Sequence, residues 1–113
     1  MLAKYQRFHG HNGVRRVYRL GRATRTNMAT LHTLRNEKVR RTKVAIVVSK
    51  KVDKSAVRRN RIRRRMYELI RSELPNITTP TEIVVTVYSV ELGEMPVAQL
   101  KQLVSELFSR AKL

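Results

Sequence analysis

Between Arg58 and Arg65 the sequence reads RRNRIRRR, six arginines in eight positions with no lysine among them. Arginine forks match phosphate oxygens bidentately, and lysine does not. Solubility alone would not require that choice. Asn60, in the middle of the run, can both donate and accept at a base edge or a sugar hydroxyl. Three lysines, Lys50, Lys51 and Lys54, come just before. The chemistry this pattern points to is the grip of a polyanion, not bond cleavage. The 8 carboxylates are scattered and form no hydrolytic constellation.

Something must hold the arginines in place. MYELIR follows them, and Pro75 stops the segment. With about 100° per residue, Ile62, Met66, Leu69, Ile70 and Leu74 make one stripe. Asp53 or Ser55 can start this helix, and Asp53 also suits its positive end. Arg58, Asn60, Arg61, Arg64 and Arg65 fall on the other sides. Arg59 and Arg63 share the stripe's side, where an unpaired charge cannot be buried. That half of the helix is expected to run past the core, or to meet a carboxylate or polyanion.

The rest of the chain supplies the scaffold. VRRVYRL suggests a short helix with Val14, Val17 and Tyr18 at helical spacing, Asn12 as its cap and Gly21 at its stop. NMATLHTLRN alternates, with Met28, Thr30, His32 and Leu34 on one face and Ala29, Leu31 and Thr33 on the other. TKVAIVVSK and TEIVVTVYS read as buried strands. The last segment is a helix with Pro96 in its first turn and Val97, Leu100, Val104, Leu107 and Ala111 on its apolar face. Tyr67 and Phe108 read as core. The expected architecture is α+β, a two-layer sandwich, with a parallel strand pair around the arginine helix.

The charge is +17, and it is uneven. Residues 1–65 carry 21 lysines and arginines against Glu37 and Asp53, and residues 66–113 carry a slight acidic excess. A field of that size calls for a polyanionic partner. At 113 residues the chain fits a single domain over 1–113, with 1–10 expected to be flexible. There is no cysteine, no apolar run of spanning length and no signal-peptide core, so a cytoplasmic protein is expected. His9 and His11 have no third ligand in view, and no metal site is expected.

SKKVDKSAVRRNRIRRRMYELIR resembles the signature of the bacterial ribonuclease P protein component. The match lies in Lys50, Lys51 and Lys54, then Arg59, Asn60 and Arg61, then Arg63 and Arg64. It extends over the whole chain. The resemblance implies the order α-β-β-β-α-β-α, a four-stranded sheet and a left-handed β-α-β crossover, against the usual right-handed rule. It splits the first strand region into a hairpin, near 28–35 and 40–49 or split earlier. It also implies an accessory subunit of an endoribonuclease that removes the 5′ leader of precursor tRNA. The catalytic centre would lie in the RNA subunit, with Mg²⁺ held mainly by RNA phosphates and no cofactor bound tightly by the protein alone.

Two sets of site residues follow from the resemblance. Lys50, Lys51, Lys54, Arg58, Arg59, Asn60, Arg61, Arg63, Arg64 and Arg65 would meet the RNA subunit. A cleft between the first helix and the sheet would hold the leader, through Val14, Arg15, Tyr18, Arg19, Thr30 and His32. The family usually has Phe where Val14 and Tyr18 stand, often Gly near Asp53, and often Arg where Tyr88 stands. The expected partners are the RNA subunit and precursor tRNA, with the protein itself monomeric and no membrane. The alternatives are a ribosomal or other structured-RNA-binding protein, and a DNA-binding module, which the flanking strands fit poorly.

Overall fold

The computed structural model describes residues 11–38 and 40–113. The segment 1–10, expected to be flexible, lies outside the described residues together with His9, and so do the side chains of His11 and Asn12.

The chain forms α1 (His11–Leu20), β1 (Arg22–Arg25), β2 (Ala29–Arg35), β3 (Lys43–Val48), α2 (Ala56–Glu73), β4 (Thr81–Val87) and α3 (Val97–Ala111). The fold is α+β, with the expected element order. The sheet runs β1-β2-β4-β3. β1–β2 and β2–β4 are antiparallel, while β3 and β4 are parallel and joined through α2.

The hairpin takes the earlier split, between β1 and β2. Its turn rests on Thr26, whose hydroxyl accepts from the Met28 and Ala29 amides and donates to the Ala29 carbonyl. RATR, with two arginines and no apolar alternation, gives little sign of a strand by itself. Asn12 does not precede the first helix but lies within its first turn. Helix ends are commonly uncertain by a residue or two from sequence.

Sheet alternation puts Leu31, Ile83, Val85, Val44, Ile46 and Val48 on one face. There they form the main core with Ile62, Met66 and Ile70 of α2 and Leu100, Val104 and Leu107 of α3. Phe108 is buried in that core and Tyr67 packs against it. Each such fully buried side chain contributes about 1.5–3 kcal/mol. Val97 leaves the expected stripe. It is 64% exposed, in the first turn of α3, a turn before Leu100 enters the core. α2 ends in a short 3-10 turn, Leu74–Asn76, that contains Pro75.

α2 and α3 on the sheet make the expected two layers. α1 lies across the opposite face, where Val17 and Val84 are both fully buried outside the main core. Gly21 lets α1 come this close. A Cβ there would stand 2.5 Å from the Val17 carbonyl oxygen and 2.7 Å from that of Thr33. The sheet therefore offers two functional surroundings, one at the start of α2 and one beside α1.

Candidate nucleic-acid interface

After β3 the chain turns on a bond from the Val52 amide to the Ser49 carbonyl, and Lys50, Lys51 and Lys54 are left exposed. Ser55 caps α2, its hydroxyl accepting from the Arg58 amide. Asp53 steadies the cap by accepting from the Ser55 amide at 2.9 Å. Its charge also suits the positive helix end. Asp53 and Ser55 thus share the start that either could have supplied.

The arginines divide by what their guanidinium groups touch. Arg58 and Arg61 are largely exposed, in long ion pairs to Asp53 (3.7 Å) and Glu94 (3.9 Å). Pairs this open contribute little and are easily exchanged. Arg64 is exposed as well. Arg59 and Arg63, on the core side, are half-buried and satisfied locally. Arg59 donates to the carbonyls of Asp53 and Lys54, and Arg63 donates to Oδ1 of Asn60. The core-side charges are thus met by carbonyls of the loop before α2 and by Asn60 within it, a resolution the helical phase did not suggest. Asn60 keeps its amide N–H groups for a partner.

Arg65 departs from the expectation of an RNA contact. Its guanidinium turns inward and donates to the carbonyls of Leu92 and Met95. Those carbonyls belong to the 3-10 turn at Val90–Gly93 and the residues after it, which pack on α2. Sequence reasoning could not place this turn against Arg65, because its position depends on the tertiary fold.

On the other sheet face, Arg16 of α1 pairs with the buried Glu82. Asn36 also donates to Glu82, at 2.5 Å. Glu82 is the one carboxylate in the four strands, and this pairing takes it out of the exposed surface. Tyr18 bonds through its hydroxyl to Oγ1 of Thr86 at 2.8 Å. Its ring meets His32 edge to face, with centroids 4.8 Å apart. Burial, and then the nearby charge of Arg25, hold the His32 pKa below its ordinary value. Arg15 and Arg19 are exposed and Val14 is half-buried.

Thr30 differs from expectation. It is buried, and its hydroxyl accepts from that of Tyr88 at 2.9 Å. Tyr88, half exposed, is what this spot presents to solvent. Tyr88 and Thr86 were missed because TEIVVTVYS reads as continuously buried. The signal was there in alternation: Glu82, Thr86 and Tyr88 share one phase of an otherwise aliphatic strand.

Among the described residues no group of three or more His, Asp or Glu could hold a metal ion. Among the described residues no helix is long and apolar enough to cross a membrane.

A basic α+β domain with a cationic helix end, and with aromatic rings on a sheet face whose carboxylate is sequestered, is of the RNA-binding class. The model of the ribonuclease P family matches residues 2–112. The ribonuclease P protein component of Symbiobacterium thermophilum is 36% identical over 97 residues, covering 86% of this chain and 83% of that one. A variant of the Staphylococcus aureus RNase P protein shares the fold with a TM-score of 0.84 and 24% identity, covering 96% of this chain and 90% of that one. The Thermotoga maritima RNase P protein gives 0.71 and 21%, covering 83% and 86%. The chain belongs to the ribonuclease P protein component family. It is a subunit of ribonuclease P, an RNA-binding protein of tRNA processing whose partner is the RNA subunit. The ribosomal alternative is not favoured.

Proposed function

We propose that the start of α2 docks on the catalytic RNA subunit while the α1 side of the sheet holds the 5′ leader of precursor tRNA. The observation that carries this is the outward set of cations around the start of α2, on both sides of Ile62, its first buried residue. Lys50, Lys51, Lys54, Arg58, Arg61 and Arg64 are all exposed there. They would neutralise RNA phosphates and release counterions. Arg59, Arg63 and Arg65 would shape this end from within, and Asn60 would offer its free amide donors. On the far face, Tyr18, with Arg15 and Arg19 beside it, suits an unpaired strand whose bases stack and whose phosphates are paired.

On this reading the catalytic centre lies in the RNA subunit, and Mg²⁺ is held by RNA phosphates. The protein, acting as a monomer in the cytoplasm, contributes no reacting group. It binds, orients the leader and supplies positive charge that divalent ions would otherwise provide. The test is reconstitution. The purified protein should leave precursor tRNA uncut, and mixed with its RNA subunit it should restore 5′ cleavage at low Mg²⁺. Cleavage by the protein without RNA, or no stimulation of the RNA, would overturn the proposal.

A further inference from the structure

Tyr88 does something that the scaffold does not need. It follows Val87, which pairs with Ala29 at the start of β2 and with Val48 at the end of β3. Its amide donates to the Met28 carbonyl at 2.8 Å, so its backbone continues the sheet. Its ring lies on the α1 side, where the hydroxyl reaches Thr30. Thr30 is the cross-strand partner of Thr86, and Thr86 holds the hydroxyl of Tyr18. The two tyrosines are thus tethered to one Thr–Thr rung, whose Cα atoms lie about 5 Å apart in an antiparallel ladder.

Both rings remain open. Tyr18 is 39% exposed and Tyr88 49% exposed. Each hydroxyl is already satisfied, so what remains for a ligand is the aromatic body. Tethering also fixes the rings beforehand, which lowers the entropy cost of binding. On the same face of the sheet lie the half-buried Ala45 and Val47, with Arg25 opposite Thr30. An apolar floor with a cation at its rim suits a flat, π-faced group carried on an anionic backbone.

We propose that Tyr88 and Tyr18 together form a two-ring platform on which bases of single-stranded RNA stack, with Tyr88 extending the cleft to the end of the sheet where α2 begins. This rests on the leader-cleft reading above and adds Tyr88 to it as a second stacking ring. The position of Tyr88 gives the strand a direction. Val48, beside Val87, leads straight into Lys50 and Lys51. A strand lying on the two rings therefore runs toward the basic end and the RNA subunit. Recognition at Tyr88 is by stacking and not by charge.

The experiment uses the holoenzyme reconstituted with its RNA subunit, and compares leader-bearing precursor tRNA with mature tRNA. Tyr88→Ala should weaken precursor binding about tenfold, the size of one lost base stack, with mature tRNA unchanged. The slope of affinity against salt should stay the same, because no phosphate contact is lost. Tyr88→Phe should keep affinity within about threefold, since it loses the bond to Thr30 but not the ring. A 2-aminopurine placed in the leader should be quenched less by the Tyr88→Ala holoenzyme. Equal losses for precursor and mature tRNA would make Tyr88 a structural residue and overturn the proposal. If Tyr18→Ala loses leader affinity and Tyr88→Ala does not, the platform falls and the leader cleft stands. If neither variant discriminates, both fall.

Discussion

Arg65 and Arg64 are neighbours of the same type, and the structure separates them. Arg65 donates to the Leu92 and Met95 carbonyls, so Arg65→Ala leaves both acceptors without that donor. The expected cost is about 1–3 kcal/mol, read as a lower urea midpoint. Arg64→Ala should leave the midpoint unchanged, weaken RNA-subunit binding and reduce its salt slope by about one. The reverse pattern, with Arg65→Ala stable but weak in RNA binding, would put Arg65 back on the RNA. His32 carries a pH prediction. Its pKa is lowered in the fold, by burial first and then by Arg25, from an ordinary value of 6.5. The unfolded chain therefore takes up the proton first as pH falls. His32's contribution to stability is complete above about pH 6.5 and fades as pH drops through the folded pKa. His32→Gln should flatten the fall in urea midpoint between about pH 7.5 and about pH 5.5. An unchanged slope in the variant would assign that fall to other groups. At this scale the sequence revealed which arginines lie on the core side, because helical phase is a local property. It did not reveal what satisfies them, because a carbonyl in a distant turn leaves no mark in composition.

Helices and strands were the most legible level. β2 follows from period-two patterning, β3 and β4 from their β-branched apolar runs, and α2 and α3 from their apolar stripes. The stripe of α1 says that it packs, but not on which face of the sheet. The face was decided by pairings remote in sequence: Arg16 with Glu82, and Gly21 against Thr33. Those same contacts create the cleft proposed for the leader, which was legible only as something the family resemblance implied. Gly21 gives the test. A methyl group there would press on two backbone oxygens at 2.5 and 2.7 Å, neither of which can swing aside. Gly21→Ala should cost about 1–3 kcal/mol and displace α1. Leader selectivity should fall while RNA-subunit affinity holds, since α2 sits on the opposite face. A parallel loss of both affinities would mean that the two sites are not independent.

The charge of the whole chain sets two opposite responses to salt. At +17 on 113 residues, the free protein is strained by self-repulsion, and the repulsion is concentrated in residues 1–65. Among the described residues the acids that could offset it are few. Glu82 is spent inside on Arg16, while Glu68 and Glu106 serve their own helix neighbours Arg71 and Arg110. Added salt screens the repulsion, because the Debye length shrinks below the spacing of most exposed charges. The thermal midpoint of the free protein should therefore rise as salt increases from low to moderate. If the start of α2 docks on the RNA subunit as proposed, the same cations are neutralised by phosphates in the holoenzyme, and binding adds stability through mass action. Salt then works against that gain, since the counterions released on docking return. The midpoint of the protein within the holoenzyme should fall over the same range. The two curves converge as the complex dissociates. Paired thermal scans of free protein and holoenzyme across one salt series check this directly. A free protein that loses stability with added salt would show that its cations are held by internal pairs, and the exposed end of α2 would then not be the store of unspent charge that RNA binding draws on.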